Sequence, residues 1–561
     1  MLPYSNLLAG LEAAPADRPF VTAWIDEDDQ ETVSFGEFLQ RARAQAAGFE
    51  QEGVAAGDRV IVIMPQGILA MTSFIAAMLL GAVPAFLAYP NFKVEPSKYR
   101  SGLAGVSANL GARAVVIDEE FPAELLEYVS FTSDTKLLHA GRHKAAGFTE
   151  FSTAQLRPDS LAFIQHSAGT TGLQKGVALS HAAVLRQLKY LAAALNVNTA
   201  DRVYSWLPLY HDMGLIAAFM LPMVCHVPVV MQSPLDWVMQ PESMLQAVSH
   251  HKCTLAWMPN FAFQFLPRRS PQSRWRDYDL SSLRALINCS EPVRFSSMSE
   301  FQKAFGVSDR VLQSSYAMAE NVFAVTQSDI EHGPMTIWAD GQQFRSAHRI
   351  TSVPQQTAGA LPFTSSGRLL PNQSVRILSD SDEPLPEACV GEIVMQSDCL
   401  FAGYYNRPDL TGQAIVEGWY HTGDLGFMLD RELYVVGRKK DLLIVGGENI
   451  YPQDIEELVG AHPAIHDGRA VALGVYNPNL GTEDVVVVAE VDREESLSDS
   501  ARLEQEIRGR IVAGLGISVR TIFLKPPRWI VKSTAGKPAR SATREKLFRE
   551  HPELDIAATS A

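Results

Sequence analysis

"FIQHSAGTTGLQKGVALSH", from Phe163 to His181, joins an apolar run to a loop of glycines and hydroxyl side chains that ends on a lysine. Backbone amides of a Gly-rich turn can converge on an anion, and hydroxyls add donors. Ser167, Gly169, Thr170, Thr171 and Gly172 are therefore candidates to wrap a polyphosphate, with Lys175 as the nearby cation. The Walker pattern does not fit, because Gly176 rather than Ser or Thr follows the lysine. The plain alternative is an ordinary turn before a helix that starts near His181.

Outward from this loop, short β-branched runs alternate with longer helical patterns: "DRVIVIMP", "ARAVVID", "SLAFIQHS", "CTLAWMP", "LRALINCS". That rhythm predicts βαβ units and largely parallel sheets covered by helices on both faces. Beyond about residue 360 the texture changes. "SVRILSD", "GEIVMQS", "HTGDLGFML" and "RELYVVGR" are closely spaced strands separated by Gly, Asp and Pro turns, which predicts a small antiparallel barrel or sheet. From Lys440 onward a further βαβ-like pattern is long enough for a small domain. The fold class is thus α/β: two βαβ-type sheet subdomains and a β-barrel-like subdomain, followed by a small α+β domain.

Bulk properties narrow the function. The chain of 561 residues is too long for one core. A net charge of -15 argues against nonspecific nucleic-acid binding. The five cysteines show no C-x-x-C spacing, so neither a disulfide framework nor a metal cluster is expected. A reducing, cytoplasmic setting is the simple reading. The first residues show no signal-peptide pattern. Gly67 to Pro90 is apolar for about a bilayer span, but Gly81 and Pro84 break it. A helix to about Leu80, a turn and a buried strand account for it without a membrane span.

Further stretches follow in a fixed order: "WLPLYHDMGL" (Trp206 to Leu215), "INCSEPVR" (Ile287 to Arg294), "SSYAMAEN" (Ser314 to Asn321), "YHTGDLG" (Tyr420 to Gly426), "GRKKDLLIVGGENIYPQDIE" (Gly437 to Glu456) and "KSTAGKPAR" (Lys532 to Arg540). Together they resemble the adenylate-forming superfamily of acyl-CoA synthetases, peptide-synthetase adenylation domains and luciferases, over nearly the whole chain.

The resemblance implies ATP and Mg²⁺ as cofactors. It assigns an adenine and ribose wall to Ser290, Glu291, Pro292, Ser315, Tyr316, Ala317, Met318, Ala319, Asp424 and Arg438. Tyr316 would stack on adenine, a flat contact of low entropy cost. Asp424 would accept from the ribose hydroxyls. Glu320, with Thr170, would hold Mg²⁺, a hard ion that takes carboxylate and phosphate oxygens. Lys537 would bridge two anions as a carboxylate attacks the α-phosphate. His211 would stand between acyl group and AMP. Adjacent residues rarely face each other, so no dyad of His211 with Asp212 is expected. A zinc site is not expected either, since no HExxH pattern occurs. The implied division is 1–437 for the large domain, a hinge over 438–440 centred on Lys440, and 441–561 for a mobile lid.

Within the superfamily, "LPLYHDMGLI", "MPNFAFQF" followed by "EPVR", and an extra segment at about 330–359 resemble fatty acyl-AMP ligases. Those pass acyl groups to the phosphopantetheine thiol of a holo acyl carrier protein. Gly447-Glu448-Asn449 instead resembles acyl-CoA synthetases, so CoA stands as the alternative acceptor. A non-catalytic adenylate-binding homologue is a further alternative, against which Lys537 and Glu320 both speak. Met213, Ile216, Phe261 and Phe263 are the candidate acyl pocket; simple core is their plain reading. No Asp stands ready for an α-amino group, since Asp236 falls in a different setting. Two basic clusters could dock an acidic carrier: Arg268, Arg269, Arg274 and Arg276, and Lys532, Arg540, Arg544, Lys546 and Arg549. Solvated loops and helix faces are the bland reading of both.

Overall fold

The computed structural model describes residues 3–90, 96–141, 153, 156–166, 174–270, 272–445, 448–477, 482–532 and 537–554. Parallel sheets dominate the first part. One runs Leu312–Ser314, Ala285–Asn288, Leu255–Met258, Val203–Ser205, Val229–Met231 and Pro19–Trp24, with Gln30–Ser34 added antiparallel at the edge. A second holds Val83–Phe86, Arg59–Ile63, Ala114–Ile117 and Lys136–His139, all parallel. The strand "RVIVI" shows why these runs are largely apolar. Val60 and Val62 enter one core and Ile61 and Ile63 another, so both faces are covered, as parallel sheets require.

The apolar stretch after Gly67 forms the helix Ile68–Leu79 and the buried strand Val83–Phe86. Among the described residues no helix is long and apolar enough to cross a membrane. One expected strand pairs differently. Leu161–His166 is not part of a parallel sheet; it pairs antiparallel with Gly176–Ser180, which in turn pairs with Gly403–Tyr404. Ser180 then caps the helix His181–Ala194 by accepting from the Ala183 N–H. The Gly-rich loop thus connects two strands of a hairpin rather than a strand and a helix.

The antiparallel unit expected beyond residue 360 is present. Its order is Thr326–Gln327, Arg368–Leu369, Glu432–Arg438, Trp419–Leu429, Gly391–Ser397, Gln373–Leu378. The extra segment builds its own hairpin, Thr336–Asp340 against Ala360–Thr364, around the helix Gly341–Ala347. From Leu443 on, a short hairpin precedes a sheet of Ile465–Asn477, Thr482–Val491 and Thr521–Lys525. Its central strand is buried on both faces: Val485, Val487 and Ala489 face one core, Val486 and Val488 the other. This C-terminal lobe therefore has hydrophobic cores of its own.

Candidate active site

A cavity of about 1650 Å³ lies where the two lobes meet. Its polar end is lined by Ser290, Glu291, Pro292, Tyr316, Ala317, Asp424 and Arg438, with Lys537 entering from the C-terminal lobe. Its apolar end is lined by Met64, Phe86, Trp206, Leu235, Val238, Phe261 and Phe265, and extends to Met239, which is 72% exposed.

The polar end is built by strand register. Asp424 and Arg438 are opposite residues of adjacent antiparallel strands, and their side chains pair at 3.2 Å. The Tyr316 hydroxyl donates to the second Asp424 oxygen at 2.6 Å. Burial first, then Asp424, pushes the Tyr316 phenol well above its ordinary range, so it stays a donor. Asp424 in turn keeps the Arg438 guanidinium charged. Ser290 follows the strand Ala285–Asn288 with φ of 71°, a left-handed conformation that costs a non-glycine residue about 1 kcal/mol or more. Its carbonyl accepts from the Lys537 ammonium. Glu291 lines the cavity and also accepts from the Phe261 N–H at 3.0 Å, holding the start of the helix Asn260–Arg269. The Ser315 hydroxyl donates to the Thr326 carbonyl at 2.7 Å. Met318 and Ala319 pack toward the core behind this wall.

Glu320 lies on a short turn, Ala319–Asn321. One of its carboxylate oxygens accepts from Tyr404 at 2.8 Å. The Lys175 ammonium sits 4.5 Å from the centre of the same tyrosine ring. A carboxylate with a further oxygen, beside a cation that could meet phosphate, fits a hard divalent ion shared with a nucleotide. Ser167, Gly169, Thr170, Thr171 and Gly172 lie outside the described residues, as does Gly447. Lys440 is in the exposed turn Lys439–Asp441 that joins the lobes.

Three expectations need correction. His211 and Asp212 do face each other: Nδ1 and Oδ1 are 2.6 Å apart. Asp212 opens the π-helix Met213–Met220 and accepts from the Met213 N–H at 2.7 Å, and this tight start turns both side chains the same way. Gly214 permits it, because a Cβ there would stand 2.2 Å from the Pro208 carbonyl oxygen. Burial opposes the Asp212 charge, yet His211 first and the Lys537 charge among others bring its pKa below the ordinary carboxylate value.

The second correction concerns the acyl pocket. Phe261 lines the cavity, but Phe263 packs against Phe301 with ring centres 5.3 Å apart and is fully buried. Two residues apart on a helix means about 200° apart around it, so the two rings cannot share a face. Gln264, Phe265 and Arg268 are on the Phe261 face; Ala262, Phe263 and Leu266 are on the core face. Met213 and Ile216 are core residues of the π-helix as well. Trp206 lines the cavity instead, backed by the buried Trp237 ring stacked 3.7 Å behind it.

The third is the basic clusters. Arg268 pairs with Glu300 and with Asp467, each at 2.8 Å; Arg274 pairs with Glu242 at 3.2 Å. Arg540 pairs with Glu456 at 2.6 Å and Asp441 at 3.0 Å. Arg268, Arg274 and Arg540 are thus engaged in internal pairs, while Arg269 and Arg544 lie over the Phe265 and Phe548 rings. The Arg276 side chain lies outside the described residues.

Sequence reasoning also missed Arg294, Tyr404 and Trp206. Arg294 stands in the quoted "EPVR", and Tyr404 in "FAGYYNRPD", an aromatic pair beside a glycine turn that could have signalled close packing.

Comparison with known proteins places this geometry in context. A family model described as AMP-binding enzyme matches residues 11–405. The chain is 28% identical over 574 residues to the long-chain-fatty-acid–AMP ligase FadD32 of Mycolicibacterium smegmatis, covering 91% of this chain and 88% of that one. It is 29% identical over 550 residues to the medium-chain-fatty-acid–[acyl-carrier-protein] ligase JamA of Moorena producens, covering 93% and 91%. A solved structure from work on fatty acyl-adenylate ligases of E. coli and L. pneumophila superposes with a TM-score of 0.90 at 25% identity, over 98% of this chain and 99% of that one. With a cleft of this architecture and a family match over most of its length, the chain belongs to the AMP-binding, adenylate-forming enzymes.

Proposed function

We propose that the protein activates a medium- or long-chain fatty acid with ATP to an acyl-adenylate and passes the acyl group to the phosphopantetheine thiol of an acyl carrier protein. The observation that carries this reading is the junction of the two ends of the cavity. Lys537 reaches across from the C-terminal lobe to the Ser290 carbonyl, beside Asp212 and His211, where an apolar channel meets a ribose-type wall. The fatty acyl-AMP ligase and carrier-protein ligase among the relatives support the same substrate and acceptor.

In the first half, a carboxylate oxygen of the acid attacks the α-phosphorus; the bond to the β-phosphate oxygen breaks and pyrophosphate leaves. Lys537 cancels charge between the two approaching anions, where such groups are worth most in a water-poor site. The His211–Asp212 pair fixes the orientation of the imidazole at this point. Asp424 receives the ribose hydroxyls and Tyr316 offers its ring to adenine. Mg²⁺, when bound with the nucleotide, would neutralise phosphate charge, and Glu320 with Thr170 would hold it. In the second half the thiol sulfur attacks the acyl carbonyl and AMP leaves. Lys537 must then withdraw, with Lys440 as the hinge of the lid 441–561.

The extra segment favours a carrier over CoA. Its Phe344 ring stacks on Tyr451 at 5.3 Å, its His348 meets Asn449 at 2.6 Å, and Arg345 lies 3.9 Å from Glu448. Glu448 and Asn449, from the stretch that resembles the CoA synthetases, are thus contacted by the segment that resembles the ligases. Incubation with ATP and saturated fatty acids of graded length, read by mass spectrometry, tests the first half. Acyl-AMP from medium and long acids is expected; acyl-AMP from acetate alone, or none from any acid, would refute it. The reading also places the protein in the cytoplasm, where ATP and carrier proteins meet.

A further inference from the structure

The segment Phe401–Tyr405 is laced to two parts of the site at once. Its Phe401 N–H donates to the Glu320 carbonyl at 2.8 Å, and its Tyr405 N–H to the Gly176 carbonyl at 2.7 Å. Gly403 and Tyr404 pair with Ala178 and Val177, just beyond Lys175. Tyr404 sits at the centre of this lacing and is 5% exposed. Its hydroxyl donates to Glu320 Oε1 at 2.8 Å and lies 3.3 Å from the Tyr420 hydroxyl. Its ring, packed edge-on against Phe401 at 4.8 Å, carries the Lys175 ammonium over its face at 4.5 Å. Its backbone N–H donates to the Thr411 hydroxyl at 2.9 Å, which fixes the main chain beneath the buried ring.

We infer that Tyr404 is a positioning residue with two separable duties. Its hydroxyl aims the Glu320 carboxylate, and its ring seats the Lys175 ammonium, so that one rigid group sets the distance between the site's metal-holding anion and its phosphate-binding cation. The inference rests on the roles proposed above for Glu320 and Lys175. Physically it asks little of the tyrosine. A hydrogen bond to a ligating carboxylate fixes which oxygen points inward, and a cation over an aromatic face is held without being neutralised by a carboxylate. Lys175 is thereby seated over the ring face while the Glu320 carboxylate is held at the ring's hydroxyl.

Two substitutions separate the duties. Tyr404→Phe keeps the ring and removes the hydroxyl; Tyr404→Leu removes both. Binding of Mn²⁺ in the presence of a non-hydrolysable ATP analogue, followed by electron paramagnetic resonance, gives a readout besides turnover. Tyr404→Phe should weaken Mn²⁺ binding by about tenfold and leave the affinity for metal-free AMP analogue unchanged. Tyr404→Leu should add a rise of about threefold or more in the KM for ATP, as the lysine loses its seat. Unchanged Mn²⁺ affinity in Tyr404→Phe would overturn the hydroxyl's duty. Equal KM for ATP in the two variants would overturn the ring's. Because the leucine variant could lose packing, its melting temperature is compared with that of the phenylalanine variant, which keeps the ring and decides the first duty by itself. Glu320→Gln is the control: if it leaves Mn²⁺ binding intact, the proposed role of Glu320 falls and takes the hydroxyl's duty with it.

Discussion

The polar wall of the cavity and the seam between the lobes hold charge in opposite ways. In the wall, Asp424 and Arg438 are backbone partners as well as an ion pair, and Tyr316 closes the group from the same lobe. Across the seam, contact rests on side chains. Arg294 reaches Asp454 at 2.8 Å and Glu457 at 3.6 Å, Ser296 donates to Glu457 at 2.6 Å, and Arg268 joins Glu300 to Asp467. Among the described residues no strand pairing joins the lobes. A wall stitched by backbone register is set once, at folding. A seam of side-chain pairs can part and re-form without unpairing a sheet, which is what the proposed withdrawal of Lys537 would require.

The largest effect should come from the seam's own tip. Lys537→Ala should slow acyl-adenylate formation by on the order of 10²–10³-fold, the cost of one preorganised charge at a transition state. Transfer from supplied acyl-adenylate should change little, and quenched-flow measurement of both halves checks the split. Next, Lys440→Pro fixes φ in the turn between the lobes. Pyrophosphate exchange should survive it while thioester formation slows by about tenfold or more; equal loss in both would reject the hinge. Arg294→Ala should have a smaller effect. Burial opposes the Arg294 charge, but the facing Asp454 and Glu457 outweigh it and hold it positive. Truncation leaves those carboxylates unpaired in the closed pose, so exchange should slow by about fivefold, with small-angle scattering showing a more open average shape.

The smallest effect concerns the N-terminal lobe. Burial lowers the His181 pKa from its ordinary 6.5 to about 4, and its Nδ1 accepts from the Leu7 N–H, at 3.4 Å. The unfolded chain therefore takes up this proton first as acid is added. The stabilisation is full above about pH 6.5 and is lost as pH falls from there toward 4. Each such histidine contributes a slope of about 1.4 kcal/mol per pH unit in that window. His181→Gln should flatten the pH dependence of chemical denaturation by about that amount. An unchanged slope would show that His181 is not the group responsible.

What the sequence made legible follows the physics of each signal. Parallel strands declared themselves because burial on both faces leaves apolar runs such as Val60 to Ile63. The helix, turn and strand after Gly67 were marked by Gly81 and Pro84. The ordered motifs named the family and most of the wall. The pairing of Leu161–His166 was not legible, since an apolar run of six residues reads alike in either kind of sheet. Phe263 was misplaced because the helix Asn260–Arg269 turns its two phenylalanines to opposite sides, a distinction that needs the helix phase. The His211–Asp212 pair was missed because adjacency argues against contact in regular structure, and here a π-helix begins between them and the next residue. The arginine clusters looked free because their carboxylate partners, Asp467 and Glu456 among them, are distant in sequence or in another lobe.

The most direct measurement offers the enzyme ATP, a long-chain fatty acid and equal amounts of CoA and a phosphopantetheinylated acyl carrier protein, and weighs the products by mass spectrometry. Acyl-AMP that passes to the carrier, with little acyl-CoA, is the expected result. Acyl-CoA as the main product, or ATP left intact, would contradict the account.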